Sequence, residues 1–556
     1  MAKYTVGVDF GTLAVRALIA EVGTGRELAC VSRDYPHAVM TSSLPDGTPL
    51  RPDWALQHPQ DYVDCLHEVM YEVICQAGVD AKDIIGMGVD FTSSTTLAVD
   101  EKGAPLCLTP AFASNPYAWV MLWKHHAAQE YANRMTQVAN QRGENFLARC
   151  GGRISSELML PRLWQIIEEA PEVYEAADRF VEAGDWIIQQ ITGTRACSAN
   201  PASYKLFWNE HDGYPSKAFL SAVDQRLAGV TEKLSHELLP LGAKAGEINA
   251  FGAEVTGLAM GTAVSVTCVD AHAGLPAAGV AEAGKLVLIL GTSGAHLVLD
   301  GNEHEVPGLL NMAENGMIPG WYAYEAGQSC CGDHFKWFVD HCVPADYVHE
   351  AEEKGVSVHA LLTKKAQKLC PGESGLIALD WWNGNRSVLM DADLSGLIAG
   401  LSLQTKPEEI YRALIEATAY GTRVIVENFE AHGVAIHEVR VCGGIAKKNA
   451  MLMQIYADVL GRRLEVVRSN EAPALGSAIF GAVAAGSARG GYDDIVTASN
   501  EMGALDEKIY EPVAENAGIY DELYAEYLKL HDWFGRGGND VMHRLKEISR
   551  RQKEFR

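Results

Sequence analysis

Basic residues are scarce in this chain. Lys and Arg number 46 against 72 Asp and Glu over 556 residues, a net charge of −26, and such a field repels nucleic acid and anionic membrane surfaces. Neither is expected as a partner. Also missing is any CxxC pair: the 12 cysteines are scattered from Cys30 to Cys442, and only Cys330 and Cys331 adjoin. That distribution fits a reducing compartment better than a disulfide scaffold. Cys330, Cys331 and His334 lie close together, but a zinc site needs about four ligands in fixed spacing, and no second cluster accompanies them. Packed free thiols are expected instead. No apolar run is long enough to span a bilayer, and the opening MAKYTVGVDFGT lacks the basic segment and apolar core of a signal peptide. The chain is therefore expected to be soluble and cytoplasmic.

What is present suits a large globular protein. Hydrophobic residues are 48% and charged residues 21%, enough for a sizeable core without staples. Dividing the length by 150 residues per domain gives about 3.7, a prior of two to four domains. Tyr4 to Asp9 form a β-rich run, Gly11-Thr12 break it, and Val15 to Val22 resume it, which predicts a hairpin. Val287 to Leu290, the turn Gly291-Thr292-Ser293-Gly294 and Ala295 to Leu299 repeat that plan. Two related halves are expected. A third unit of strand, turn and strand is expected from Ile84 to Val99.

Helices are expected between these strands. Val63, Leu66, Met70, Val73 and Ile74 share one face, with Pro59 near the first turn and Gly78 past the end. Thr405-Lys406-Pro407-Glu408 matches a capping box before a long periodic stretch. HEVRVCGGIAKKN predicts a strand, a double glycine and a helix from about Lys447 to Leu460, and RLEVV leads into the helix ALGSAIFGAVAAG. This alternation is an α/β pattern. Boundaries are expected near Ala283 and residue 505, giving lobes 1–283 and 284–505 and a C-terminal extension 506–556. In that extension Ile519, Leu523, Tyr527 and Leu530 mark the packed face of a helix, and the basic tail from Gly535 onward is expected to fray.

One phosphate-binding motif is a decoy. Gly279 to Lys285 satisfies GxxxxGK, but Leu286 stands where Mg²⁺ needs a hydroxyl, and the segment runs from helix into strand. Better placed is Asp9-Phe10-Gly11-Thr12, where a carboxylate at a strand end and free backbone N–H groups suit a hydrated Mg²⁺ beside phosphate oxygens. Such a string is common alone. The second turn, Gly291-Thr292-Ser293, could close on the same polyphosphate from the other half. Val441-Cys442-Gly443-Gly444 adds a third site, where a flat ligand can approach bare backbone. Three such strand ends favour a nucleotide cleft.

In this order the motifs resemble the FGGY family of carbohydrate kinases, within the actin, hexokinase and Hsp70 superfamily. They are DFGT with Arg16, VDAHAG around Asp270, LGTSG, GGIAKKN and EAPALGSAIFGA, and together they span roughly Tyr4 to Gly486. The resemblance implies an α/β fold of two actin-like (ribonuclease H-like) lobes with a nucleotide and sugar cleft between them. The segments NPYAWVMLWKHHAA, SYKLFW, EAGQS and LDWWNGNR look most like members that phosphorylate the 5-hydroxyl of ribulose in arabinose or ribitol catabolism. Those members usually read Lys-Asp-His where this chain has Lys124-His125-His126, so His125 departs in a way that bears on sugar preference.

By the same resemblance Asp270 is the general base, which suits a poorly nucleophilic sugar hydroxyl. Ser94, Trp123, Lys124, Lys205, Asp270 and Glu325 are the implied sugar contacts, and Asp9 holds Mg²⁺ through water. Gly11, Thr12, Arg16, Gly291, Thr292 and Ser293 are implied at the phosphates, with Gly443, Gly444 and Asn449 at the adenosine. Lys447 and Lys448 read as a solvated face, and Trp381 and Trp382 as core. ATP, Mg²⁺ and a small sugar are the implied ligands. Oligomeric state is not encoded legibly, with a homodimer among the options. Xylulose or another polyol is the alternative acceptor, and an actin- or Hsp70-like ATPase the alternative class.

Overall fold

The computed structural model describes residues 2–554 and builds two seven-stranded sheets. The first follows the order 244–247, 263–265, 84–91, 4–10, 14–21 and 27–34, with Cys268–Val269 also pairing on Ile84–Phe91. The second follows 311–314, 322–328, 294–300, 285–290, 438–442, 464–467 and 505–510. In each, the hairpin expected at a glycine turn sits centrally, with Tyr4–Phe10 on Ala14–Glu21 and Lys285–Leu290 on Gly294–Asp300. Each hairpin's first strand pairs in parallel with a later strand, Ile84–Phe91 or Glu438–Cys442. Two related sheets of one plan result, and they aim their glycine turns from the same relative place.

Local chemistry explains most element ends. The helix Pro59–Ala77 starts with proline in its first turn and ends at Gly78, whose φ of 64° is left-handed. Its buried face is Tyr62, Cys65, Leu66, Val69, Met70 and Val73, which keeps Leu66, Met70 and Val73 of the expected stripe and leaves Val63 and Ile74 half-buried at its edge. The long helix Pro407–Ala431 begins at Lys406, not Thr405: Glu409 Oε2 accepts from Lys406 N at 2.6 Å, while Thr405 Oγ1 accepts from Ser402 N at 2.9 Å. The capping glutamate is thus one position later than expected. The helix expected over Lys447–Leu460 is broken into Gly444–Lys448 and Ala450–Leu460.

Four further expectations need correction. Thr96–Val99 does not return onto Ile84–Phe91 as a hairpin; it joins a separate four-stranded sheet between Val120–Met121 and Arg179–Glu182. The C-terminal helix Ala514–Gly535 buries Tyr520, Tyr524, Tyr527 and His531 and leaves Ile519 exposed. Tyrosine wins that face because its hydroxyl finds buried partners, Glu416 Oε1 at 3.1 Å for Tyr520 and Asp380 Oδ1 at 3.0 Å for Tyr527. Over the described residues the tail is not the frayed end expected; residues 555–556 lie outside them. Val541–Glu554 is a helix, pinned by buried Met542, by His543 on Asp391 at 2.7 Å and by Lys546 on Ala392 O at 2.6 Å. Lys447 is not simply solvated, because its ammonium donates to Arg468 O and pairs with Asp506 at 3.9 Å.

The helix Ala472–Ala485 falls between two strands of the second sheet in sequence but lies on the first. A Cβ added at Gly7 would sit 1.8 Å from Ala474 O, and one at Gly88 would sit 1.8 Å from Ser477 O. Only bare backbone permits that approach. The same helix crosses Asp270–Ala277 so closely that a Cβ at Gly476 would meet Ala273 O at 1.7 Å. These two helices connect the sheets beside the strand ends that carry the expected site. The strand Leu505–Tyr510 also completes the second sheet across the boundary expected at residue 505.

Candidate active site

Three carboxylates meet at neighbouring strand ends of the first sheet. Asp9 and Asp90 are register partners on parallel strands, Cys268 is the partner of Asp90, and Asp270 follows two residues later. Asp90 is fully buried, with Ser477 Oγ donating to its Oδ2 at 2.6 Å. Burial, then the neighbouring Asp9, push the Asp90 carboxyl well above the usual range. For Asp270, burial and Asp9 raise the pKa to about 7, against the pull of the Ala271 amide at 2.7 Å and of Lys205. A carboxylate poised there can accept a proton at neutral pH.

Arg16 crosses the first hairpin to Asp9, its register partner, at 3.1 Å, and lies 3.6 Å from Glu471. Gly11 N donates to Ala14 O at 2.9 Å to close the turn. Thr12 is held twice, by Gln57 Nε2 on its carbonyl at 2.8 Å and by Trp123 Nε1 on its hydroxyl at 3.1 Å. The structure thus joins the expected phosphate turn to Trp123. Lys124 goes elsewhere: it is exposed, with its ammonium 5.1 Å from the Trp123 ring centroid. His125 is completely buried and meets Trp54 edge-on at 4.8 Å, so its departure from the family pattern changes packing beneath the segment.

Lys205 sits in the last turn of helix Ala199–Leu206, which Ser198 caps and Phe207, at φ 59°, terminates. Its ammonium lies 4.0 Å from Glu325 Oε2 on strand Tyr322–Gln328, and both side chains are nearly buried. Burial alone would raise the Glu325 carboxyl, but Lys205 and His272 overcome it and hold it down at about 2. Ser94 is the strained member of the set. It is buried at φ 55°, a region few non-glycine residues adopt, and its hydroxyl has no hydrogen-bond partner among the described residues. That combination marks a polar atom awaiting a ligand or water.

Arg162 escaped the sequence reading. It lies wholly buried in helix Met159–Glu169, donating to the carbonyls of Ser94 and Met121 and to those of Leu122, Trp123 and His125 at 3.0, 3.3 and 3.3 Å. Burial lowers its pKa to about 10, with Glu182 opposing. One guanidinium therefore sets both the Ser94 turn and the Trp123 segment. The sequence signal was an arginine inside the apolar run MLPRLWQII.

On the second sheet, Gly291 N donates to Ser293 O at 3.0 Å, while Thr292 O and Gly291 O accept from Cys331 N at 2.8 Å and Gly332 N at 2.9 Å. The turn is seated on the start of helix Gly332–His341, and Thr292 points outward. Gly443 has φ 102°, and a Cβ there would lie 2.3 Å from Leu290 O, whereas a Cβ at Gly444 would meet nothing within 4 Å. Space for a flat ligand is therefore at Gly444. Asn449 acts as a helix cap, its Oδ1 accepting from Leu452 N at 3.0 Å. Trp381 is core, as expected, and Trp382 packs at its edge.

For a divalent cation, Asp9 fits best: it is acidic, adjoins Asp270, and the repulsion that raises Asp270 is what a cation would relieve. Among the described residues one other set gathers three potential ligands, His37, His58 and Asp61 within 4.8 Å. Its rings stack at 4.3 Å and 15°, so their in-plane lone pairs run parallel and do not converge on one ion.

Two sheets of one plan, each with a central glycine-turn hairpin, and a half-buried Asp270 near an ammonium–carboxylate pair fit a two-lobed α/β phosphotransferase of actin-like fold. The chain belongs to the FGGY family of carbohydrate kinases: the family's N-terminal domain matches residues 4–276 and its C-terminal domain residues 286–485. It is 52% identical to the ribulokinase of Halalkalibacterium halodurans, over 98% of this chain and 97% of that one. Identity to the ribulokinase of Geobacillus thermodenitrificans is 51%, over 99% of both. The fold is also that of a xylulose kinase from Rhodospirillum rubrum, with TM-score 0.77 at 24% identity over 95% of this chain and 98% of that one. A gluconate kinase from Lactobacillus acidophilus gives TM-score 0.80 at 17% identity, over 97% and 99%.

Proposed function

We propose that this chain transfers the γ-phosphoryl group of ATP to the 5-hydroxyl of ribulose, forming ribulose 5-phosphate in pentose catabolism. The observation that carries this reading is the half-buried Asp270, poised near pH 7 beside the Lys205–Glu325 pair. The ribulokinase name of relatives that match nearly the whole chain supports ribulose as the acceptor. Asp270 takes the hydroxyl proton as the oxygen attacks in line. Lys205 and Glu325 offer a charge-assisted donor and acceptor to the ketose, with the Ser94 hydroxyl facing it. The Gly11-Thr12 and Gly291-Thr292-Ser293 turns hold the phosphates through the amides of Thr12, Thr292 and Ser293, with Arg16, and Gly443-Gly444 pass beneath the adenosine. Mg²⁺ held through water by Asp9 would neutralise charge on the transferring oxygens.

In this reading residues 1–283 form the lobe that binds mainly sugar, and 284–505 the lobe that binds mainly nucleotide. Residues 506–556 brace the second lobe. Closure of the cleft excludes water that would otherwise take the phosphoryl group. The test is a coupled ADP-release screen over D- and L-pentuloses, pentitols and glycerol. Ribulose is expected to give the highest kcat/KM, and turnover of xylulose or glycerol alone would overturn the assignment.

A further inference from the structure

Asn200 has no role in the site described so far and His272 only that of helping to hold the Glu325 carboxyl down, yet both are buried against the site. Asn200 lies on the same helix as Lys205, and its amide reaches three ways. Oδ1 accepts from Val269 N at 2.8 Å, one residue before Asp270; Nδ2 donates to Gly316 O and meets His272 Nδ1 at 2.8 Å. Because the Val269 and Gly316 groups can only donate and only accept, the orientation of the amide is fixed by chemistry. Nδ2 must then donate to His272 as well, so Nδ1 keeps its lone pair and Nε2 carries the proton.

That Nε2–H faces Glu325 Oε2 at 3.5 Å, from a wholly buried ring packed 4.4 Å from Tyr204. Neither atom has a better hydrogen-bond partner among the described residues. Burial keeps the imidazole neutral, so it donates to the carboxylate without bringing a competing charge. A gap of 3.5 Å is long for a hydrogen bond, and such contacts tighten when substrate fills the space beside them. Left unmade, the pair would strand two buried polar groups.

We propose that His272 is a positioning residue: Asn200 fixes it as the Nε2–H tautomer, and it aims the Glu325 carboxylate at the ketose. The same Asn200 sets the Val269–Asp270 step, so one amide links the sugar-binding carboxylate to the expected base. This rests on the sugar-kinase reading above.

The test compares His272→Phe, which fills the volume without an N–H, with His272→Gln, which retains one. Steady-state KM for sugar and for ATP, kcat and melting temperature are measured in the full chain. His272→Phe should raise the sugar KM about tenfold or more, the worth of one hydrogen bond to a charged group, with the ATP KM changing less than about twofold. His272→Gln should recover most of the loss. An unchanged sugar KM in His272→Phe, or equal rises in both KM values with no recovery by Gln, would overturn the proposal. If His272→Phe does not fold, His272→Ala takes its place under the same criteria. All variants are assayed with the sugar that the unaltered chain turns over fastest, so failure on ribulose counts against the substrate alone.

Discussion

Replacing Asp270 with Asn should destroy turnover and stabilise the fold, and the second effect should depend on pH. Asn preserves the shape and the acceptor for the Ala271 amide, which Asp270 holds at 2.7 Å, but it cannot take a proton. Loss of a general base lowers kcat by about 10²–10⁴-fold. The stability effect comes from raising the carboxyl from 3.8 to about 7, chiefly by burial and then by Asp9. That shift of roughly 3 units is worth about 4 kcal/mol at full value. The group borders the cleft, so solvent screening is taken to halve it, to about 2 kcal/mol. Between pH 4 and 7 the unfolded chain releases a proton that the folded chain keeps, so relative to a neutral Asn the term is zero below pH 4 and costs its full amount above pH 7. For a lobe of about 280 residues, 2 kcal/mol corresponds to a melting shift of about 3 °C. Ligand-free Asp270→Asn should therefore melt about 3 °C higher than the unaltered chain at pH 8, and the difference should shrink on acidification and vanish below about pH 4. Turnover within tenfold of the unaltered chain would refute the base. A melting difference that is absent at pH 8, or that grows on acidification, would refute the electrostatic argument.

Two further substitutions probe the cleft's other half. Gly443→Ala places a Cβ 2.3 Å from Leu290 O at φ 102° and should cost about 2–4 kcal/mol through strain and displacement, read as a lower melting temperature with a raised ATP KM. Gly444→Ala, whose Cβ meets nothing within 4 Å, should leave melting intact and raise only the ATP KM. Equal stability losses at both positions would contradict the geometry. Ser477→Ala removes the 2.6 Å bond to Asp90 that ties the helix Ala472–Ala485 to the first sheet, and should cost about 1–3 kcal/mol. Unchanged thermal melting would show that this bond does not hold the helix.

The parts legible in the sequence were those whose chemistry is local. A glycine turn after an apolar run marks a hairpin wherever it occurs, and both central hairpins formed as expected. Thr96–Val99 was legible as a strand, but period-two patterning carries no information on which sheet receives it. The helix ALGSAIFGAVAAG was legible, yet its seat on the first sheet depended on Gly7 and Gly88, some 400 residues earlier in the chain. No local window contains both. The C-terminal helix misled because apolarity was read as burial. Tyr520, Tyr524 and Tyr527 bury their rings and satisfy their hydroxyls, whereas Ile519 lies over Gly372 at the surface. The roles of Arg162, Asn200 and His272 were illegible for a related reason: a polar residue with no local motif, even one as conspicuous as Arg162 in MLPRLWQII, declares its role only when its partners appear.

The acidity of the chain poses a sharper question once the site is built, because a polyphosphate must enter it. At physiological ionic strength charges more than about 8 Å away are largely screened, so the −26 of the whole chain matters less than the groups at the strand ends. There the cations are already paired: Arg16 with Asp9 at 3.1 Å and Glu471 at 3.6 Å, and Lys205 with Glu325 at 4.0 Å. Side-chain charge therefore leaves little surplus to attract phosphate. Among the described residues the backbone amides of Thr12, Thr292 and Ser293 remain, in turns closed by Gly11 N on Ala14 O and Gly291 N on Ser293 O, and a neighbouring carboxylate cannot neutralise them. A cation beside Asp9 would supply the rest and would also lower Asp270 toward its ionised, proton-accepting form. On the proposed reading, nucleotide binding and activation of the base are coupled through that one carboxylate cluster, so ATP affinity should follow free Mg²⁺ far more closely than it follows added monovalent salt.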